Sequence, residues 1–126
     1  MDSIWKLMLL AGAGGFVGTS CRFLINKLFL IIWKAPFPLA TFTINVLGCF
    51  IFGILFGLLG RSGAVPPKLN ALLVVGFCGG FTTFSTFSFE SFNLGTSGEI
   101  FSSFLYIAGS VIVGLLAVWF GLLISR

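Results

Sequence analysis

Apolar residues dominate the chain and fall into four long runs, separated by short polar or proline-containing stretches. Since about 20 apolar residues in a helix cross the hydrocarbon core of a bilayer, the pattern predicts four transmembrane helices. Their expected limits are roughly residues 4–33, 39–59, 69–94 and 101–124. Pro36 and Pro38 mark the first connection, and Pro66 and Pro67 close the second. The prediction is an all-α fold with a single four-helix transmembrane domain over residues 1–126.

The third run contains a stretch that an ordinary membrane helix does not need. Gly76, Gly79 and Gly80 precede a Thr82-Thr83 pair, and these residues disfavour a regular helix. We therefore predict that the third helix is broken near its middle and resumes from Thr83. Backbone that leaves a helix at membrane depth must be buried in protein or line a polar cavity or an ion site. Because free carbonyl groups favour a small cation, the stretch is predicted to form an ion site.

Beyond the predicted break, aromatic residues lie at helical spacing. Phe84 and Phe87 share one face, and Glu90 extends that face by one turn. An aromatic ring has a positive edge, so two rings beside a stripe of hydroxyl groups provide a surface that attracts a small anion. The stretch thus divides into a cation-binding half at the break and an anion-binding half that carries the two rings.

Polar side chains on the second and fourth helices form matching faces. Thr41 and Asn45 are one helical turn apart, and so are Tyr106 and Ser110. The Asn45 carboxamide has two N–H donors, which serve either an anion or a neighbouring helix. We expect the polar faces of the second, third and fourth helices to converge on one track.

A positive charge interrupts the first run. Arg22 shares a helical face with Gly14 and Gly18, and glycines at such spacing allow close helix packing. A guanidinium group within a span is costly unless it is paired or reaches water. Two interpretations of Arg22 remain open, a functional or architectural role within the protein and snorkelling of the side chain to the membrane surface.

The composition is that of an integral membrane protein. Of the 126 residues, 58% are hydrophobic and 8% are charged, whereas soluble domains have about 25% charged residues. No room remains for a separate catalytic module. The seven Lys and Arg residues give a net charge of +4 without forming a cluster, which argues against nucleic-acid binding.

The cysteine and histidine content excludes several enzyme classes. There is no histidine, which removes the usual Ser-His and Cys-His nucleophile pairs. Cys21, Cys49 and Cys78 lie far apart within apolar runs, so we interpret them as small buried hydrophobic residues. The chain is not expected to be an enzyme.

Three motifs together resemble the signature of a known family. The stretch from Gly76 to Glu90, with Gly18-x-x-x-Arg22 and Thr41-x-x-x-Asn45, resembles the helix motifs of the Fluc/CrcB family of fluoride channels. The resemblance covers nearly the whole chain. It implies an antiparallel, dual-topology homodimer in the inner membrane of a prokaryotic cell, with a structural Na⁺ at its centre. Two pores in this dimer would export fluoride passively and protect the cell against fluoride toxicity.

The resemblance also implies roles for individual residues. Gly79 and Thr82 match the positions whose backbone carbonyls hold the Na⁺, and Phe84 and Phe87 match the paired phenylalanines of the pore. Arg22 is expected to attract anions or to serve the architecture. The polar positions that the resemblance puts along the fluoride path are Asn45, Tyr106, Ser110 and Thr41.

Two positions depart from the family pattern. Ala40 stands where glycine is frequent, and Gly114 stands where a further serine often lies. The second departure removes a hydroxyl group from one end of the expected path. Gly114 is therefore left out of the predicted site.

The distribution of positive charge permits insertion in both orientations. On the side of the N-terminus the basic residues are Lys6, Arg61, Lys68 and Arg126, and on the other side they are Lys27 and Lys34. This bias is small and nominally favours cytoplasmic termini. A dimer is expected because a single four-helix bundle would expose polar faces to lipid.

Two other functions compete with the channel hypothesis. A small multidrug-type, proton-coupled antiporter also uses about four short helices in a dimer, but it needs a carboxylate within the membrane. Glu90 is the candidate, because Asp2 and Glu99 lie near the ends of spans. A purely structural membrane assembly protein would explain the glycines, but it gives no reason for the order Thr-Thr-Phe-Ser-Thr-Phe.

Overall fold

The protein consists of helices that are long and apolar enough to cross a membrane. The computed structural model describes residues 3–126, and Met1 and Asp2, which the predicted domain includes, lie outside the described residues. Every regular element in the described part is helical. The four candidate spans are Ile4–Ile32, Leu39–Leu59, Pro67–Thr96 and Ile100–Ser125. The prediction of an all-α protein with four transmembrane helices is confirmed.

The ends of the helices follow from local chemistry. The Ser3 side chain accepts a hydrogen bond from the backbone N–H of Lys6 at 3.4 Å and caps the first helix. Pro38 directly precedes the second helix. Pro67 is the first residue of the third span, where the missing N–H of proline costs nothing. Gly98 adopts a positive φ of 88° in the turn before the fourth helix, a conformation that favours glycine.

The third span is divided into two helical segments. The upstream segment, residues 67–81, contains a π-helical stretch at Asn70–Cys78, and the downstream segment is Phe84–Thr96. Between them lies the break, where Thr82 (φ −81°, ψ 158°) and Thr83 (φ −145°, ψ 119°) are extended. A break near the middle of the third helix is therefore present, as predicted.

The glycines do not form this break, so that part of the prediction is wrong. Gly76, Gly79 and Gly80 are helical. A Cβ atom would lie 2.6 Å from the carbonyl oxygen of Ala11 if added to Gly76, and 2.6 Å from that of Gly15 if added to Gly80. These two glycines permit close packing against the first helix, which is the other common use of glycine in lipid.

Glycine contacts organise the remaining packing as well. The first helix packs on the upstream segment, where a Cβ at Gly14 or Gly18 would collide with backbone carbonyls of that segment. The second helix packs on the fourth. A Cβ at Gly121 would lie 2.5 Å from the carbonyl oxygen of Phe50, and one at Gly114 would lie 3.5 Å from Cys49 Sγ. Both helix pairs therefore pack at close range.

Candidate functional site

A groove lies beside the break, between the second and fourth helices and the downstream segment. We call it the break groove, and its volume is about 280 Å³. It brings together Asn45, Phe84, Phe87 and Ser110, all of which the sequence predicted along an anion path. Its complete lining is Asn45, Cys49, Thr82, Thr83, Phe84, Phe87, Ser110 and Val111.

The Asn45 side chain holds the extended backbone at Thr83. Its Nδ2 donates to the Thr83 carbonyl at 3.2 Å, and its Oδ1 accepts from the Thr83 N–H at 2.8 Å. The amide therefore replaces the helical hydrogen bonds that the break removes. Of the two uses of Asn45 that the sequence left open, this contact is helix-to-helix bonding. One amide hydrogen remains for another acceptor, because the NH₂ group has two.

The downstream segment begins with a side-chain cap. Thr83 Oγ1 accepts from the Thr86 N–H at 3.3 Å and donates to Thr86 Oγ1 at 3.1 Å, as expected for a threonine that starts a helix. Phe84 follows directly, and its ring lies 5.9 Å from that of Phe87 with an interplanar angle of 49°. Phe84 is 79% exposed. The cap thus positions two adjacent rings at the edge of the groove.

Two carbonyl groups at the end of the upstream segment have partners. The Cys78 carbonyl accepts from the Thr82 N–H at 3.0 Å and from Thr82 Oγ1 at 2.9 Å. The Gly80 carbonyl accepts from Arg22 Nε at 3.0 Å and from Thr19 Oγ1 at 3.3 Å. Arg22 therefore contacts the C-terminal end of a helix, where a cation is favourable. It does not line the break groove, and this contact supports its architectural role.

Two other carbonyl groups at the break are left open. Within residues 3–126, the carbonyl oxygens of Gly79 and Thr82 accept no hydrogen bond. They are the two oxygens that the family resemblance assigned to Na⁺. Neutral oxygen atoms suit a hard cation, so their chemistry fits that ion. Gly79 is exposed, and a Cβ added to it would meet nothing within 4 Å, so this part of the break faces outward.

Tyr106 and Thr41 lie in a separate cluster beyond Phe87. Tyr106 is fully buried, and its hydroxyl donates to Glu90 Oε1 at 3.1 Å. The buried Thr41 hydroxyl lies beside both groups. The rings of Tyr106 and Phe87 meet edge to face, with centroids 5.1 Å apart. Phe87 therefore connects the break groove to this cluster.

Glu90 also lines a cavity of about 360 Å³ at the end of the spans, next to the first connection. We call this cavity the Glu90 vestibule. Its other polar side chains are Asn26, Trp33, Asn93 and Ser97. The sequence put Glu90 on the face of the two rings and gave it a role only in the alternative antiporter. Its contact with Tyr106 requires the fourth helix to be in place.

The Ser110 hydroxyl has an unusual environment. Its oxygen is shielded from solvent and has no hydrogen-bond partner among the described residues, although Ser110 lines the break groove. A buried polar group without a partner costs free energy. The hydrogen-bonding capacity of this hydroxyl is therefore unused within the described residues.

Cys49 was missed as a lining residue. The sequence interpretation treated it as a small buried hydrophobic residue, but it is half-buried and lines the break groove. Its position one turn after Asn45, on the same helical face, was the signal that was available.

Comparison with known proteins gives consistent matches over the whole chain. A family model described as "CrcB-like protein, Camphor Resistance (CrcB)" matches residues 9–122. A protein of Chlorobium phaeobacteroides (strain BS1) is 44% identical over 126 residues, which is 100% of this chain and 98% of the relative. One from Prosthecochloris aestuarii is 41% identical with the same coverage.

A relative from Flavobacterium psychrophilum is 41% identical over 121 residues, which cover 96% of this chain and 98% of the relative. All three relatives carry the name "Fluoride-specific ion channel FluC". Their similarity extends over all four candidate spans of this chain.

Proposed function

Because this chain belongs to the CrcB family, we propose that it is a channel that conducts fluoride passively across the inner membrane of a bacterial cell. The relatives are named as ion channels, and the protein is not an enzyme. It is a multi-pass membrane protein of a prokaryote. Passive loss of fluoride through such a channel would protect the cell against fluoride toxicity.

The observation that carries the proposal is the unpartnered Ser110 hydroxyl in the break groove. Fluoride is small and strongly hydrated, so a pore must replace its water with fixed hydrogen-bond donors. Ser110 supplies one donor, and the second amide hydrogen of Asn45 supplies another. The positive ring edges of Phe84 and Phe87 offer attraction where no hydroxyl is present.

Beyond Phe87, the path continues toward the Glu90 vestibule. Tyr106 and Thr41 are the hydroxyl groups at this level. The Tyr106 hydroxyl donates a hydrogen bond to Glu90. It must release this carboxylate and donate to fluoride when the anion passes. Arg22 has no place on this path, because its guanidinium contacts the Gly80 carbonyl on another side of the break.

We further propose that two copies of the chain pair in antiparallel orientation at the break. The exposed, outward-facing Gly79 supports an interface there. A second copy would add its own Gly79 and Thr82 carbonyls, which gives four oxygen ligands for a structural Na⁺. The ion would satisfy the backbone groups that the break leaves open.

Cysteine crosslinking tests the pairing. In a background without the native cysteines, Gly79→Cys is expected to give an oxidised dimer in membranes. Ile4→Cys, at the exposed start of the first helix, is the matched control, since antiparallel copies hold Ile4 on opposite membrane surfaces. Dimer formation through Ile4→Cys, or none through Gly79→Cys, would contradict the antiparallel model.

Ion efflux from liposomes that contain the purified protein tests the channel itself. With an ionophore that dissipates the voltage, we expect rapid fluoride efflux and negligible chloride efflux. Removal of Na⁺ from both sides should lower the fluoride flux if the ion is structural. Equal permeation of chloride and fluoride would contradict the proposed selectivity.

The antiporter hypothesis, which depends on Glu90, can be tested in the same liposomes. Its half-buried carboxylate is the group that proton-coupled exchange would require. A channel is expected to release fluoride without a proton gradient, whereas an antiporter would export an organic cation only with one. Absence of all ion flux from a folded dimer would favour a structural assembly role instead.

A further inference from the structure

The second and fourth helices present their polar groups at two successive levels. Asn45 and Ser110 form the first level in the break groove. One turn further along each helix come Cys49 and Gly114. A Cβ at Gly114 would lie 3.5 Å from Cys49 Sγ. The fourth helix therefore has no side chain at the second level, and the thiol lies in contact with the position where such a side chain would begin.

Cys49 also stands at the junction between cavities. Together with Thr82 it lines both the break groove and a second cavity of about 630 Å³. That cavity shares Phe56 and Asn70 with a third cavity of about 740 Å³, which Arg61 and Arg126 line. The three cavities therefore lie next to one another from the break groove to the basic end of the spans, and Cys49 is at the first boundary between them.

Few polar groups are available at this junction. The remaining lining of the second cavity near Cys49 is mostly apolar, with the Thr82 hydroxyl as an exception. That hydroxyl already donates to the Cys78 carbonyl. The thiol S–H is a weak hydrogen-bond donor. The thiols of Cys49 and Cys78 both line this cavity, and within residues 3–126 neither donates a hydrogen bond. Cys78 is 3% exposed, whereas Cys49 is half-buried, so Cys49 is the more accessible donor at this level.

The unpartnered Ser110 hydroxyl, one level away in the same groove, independently points to a ligand. We propose that the Cys49 thiol is the next donor to fluoride after Ser110, on the route from the break groove to the basic end. The thiol supplies from the second helix the donor that Gly114 does not supply from the fourth. This inference rests on the proposed fluoride conduction.

Moving the donor between helices tests this assignment. Cys49→Ala is expected to lower fluoride flux about threefold or more, as for the loss of one weak hydrogen bond, and Cys49→Ser to retain it. The double variant Cys49→Ala with Gly114→Ser should recover flux, because a serine side chain fits at ordinary contact distance. Unchanged flux in Cys49→Ala, or no recovery in either serine variant, would overturn the proposal. Melting curves establish that each variant is folded.

Thiol labelling provides a readout that does not depend on flux. With Cys21→Ala and Cys78→Ala in place, a charged methanethiosulfonate reagent should add one adduct at Cys49, as measured by intact mass. Labelling should be slower in the presence of fluoride, and it should block fluoride efflux. An unlabelled Cys49, or a labelled channel with unchanged flux, would overturn the assignment.

The controls separate this inference from the proposed function. If unmodified wild-type liposomes release no fluoride, the channel proposal fails. If they release fluoride but neither Cys49→Ala nor labelling changes the rate, the channel proposal stands and the assignment of Cys49 fails.

Discussion

The two segments of the third span have different surroundings, although they belong to one membrane crossing. The upstream segment packs so closely on the first helix that a Cβ at Gly76 or Gly80 would meet backbone oxygen at 2.6 Å. The downstream segment begins with the ring of Phe84, which is 79% exposed. The first segment is fixed by backbone contact, whereas the second presents side chains outward.

This difference separates architecture from conduction. The Gly80 carbonyl at the end of the upstream segment receives two hydrogen bonds from the first helix. The downstream segment is held at its start by Asn45 and by the Thr83 cap. Substitutions upstream should therefore change stability, and those on the rings downstream should change flux. The following predictions test that separation, from the largest expected change in stability to the smallest.

Asn45→Ala should be the most destabilising of these changes. It removes both hydrogen bonds to Thr83 and leaves the N–H and carbonyl of that residue unpaired. Each buried group left unpaired costs about 1–3 kcal/mol, so a loss of about 2 kcal/mol or more in the free energy of unfolding is expected. Chemical denaturation in detergent, followed by circular dichroism, measures it.

The control for Asn45 is Asn26→Ala, a change at an exposed position of the first helix. Its effect should stay within about 0.5 kcal/mol, as is usual for surface positions. Equal losses in the two variants would show that the Thr83 contacts do not stabilise the break.

Gly80→Ala and Gly95→Ala compare the two segments directly. A Cβ at Gly80 would lie 2.6 Å from the Gly15 carbonyl oxygen, whereas one at Gly95 would lie 3.8 Å from Ser103 Oγ. We expect Gly80→Ala to cost about 1–3 kcal/mol through overpacking. Gly95→Ala should be neutral or stabilising by up to about 1 kcal/mol, because alanine favours helix. Similar melting temperatures for both variants would mean that the upstream segment can move away from the first helix.

The positions of the spans could be predicted from sequence because apolar length is a local property. The break was predicted a few residues too early in the sequence, because glycine in a membrane helix can either interrupt the helix or permit close packing of a neighbouring helix. Gly76 and Gly80 looked like helix breakers, but their lack of a side chain serves packing on the first helix. The extended residues are Thr82 and Thr83, and their partner, Asn45, comes from another helix.

Contacts between helices could not be predicted from the pattern of polar and apolar residues in the sequence. The sequence put Tyr106 on the same polar face as Ser110, but in the fold Tyr106 donates to Glu90 on the far side of Phe87. Likewise, Cys49 lines the groove and lies 3.5 Å from where a Cβ at Gly114 would be. Both facts depend on the relative register of two helices, which hydropathy does not encode.

Arg22→Gln should have a moderate effect on stability. It removes the shorter of the two side-chain contacts to the Gly80 carbonyl, and Thr19→Val removes the longer one. We expect a loss of about 1 kcal/mol for Arg22→Gln and less for Thr19→Val, since half-exposed hydrogen bonds contribute about 0.5–1.5 kcal/mol.

Fluoride flux per folded channel is the second measurement for Arg22. An architectural arginine leaves this flux unchanged at all salt concentrations. A loss of flux in Arg22→Gln that appears only at low ionic strength would identify it as an anion-attracting residue instead.

Phe84→Ile should change stability least and flux most. The ring is largely exposed, so its replacement by another apolar side chain should alter the free energy of unfolding by no more than about 0.5 kcal/mol. Isoleucine has no positive ring edge to attract the anion. A barrier raised by about 1.4 kcal/mol already lowers a rate tenfold, and we expect fluoride efflux to fall by at least that factor.

Phe89→Ile is the matched control for Phe84. Phe89 is 67% exposed in the same helical segment but does not line the break groove. Its replacement should leave both flux and stability near wild type. If both variants lost flux equally, exposed aromatic residues would matter through lipid or partner packing. If only Phe84→Ile lost flux while its unfolding stayed unchanged, the first ring after the break would act on the ion itself, because its contribution to the fold has been excluded by the same variant.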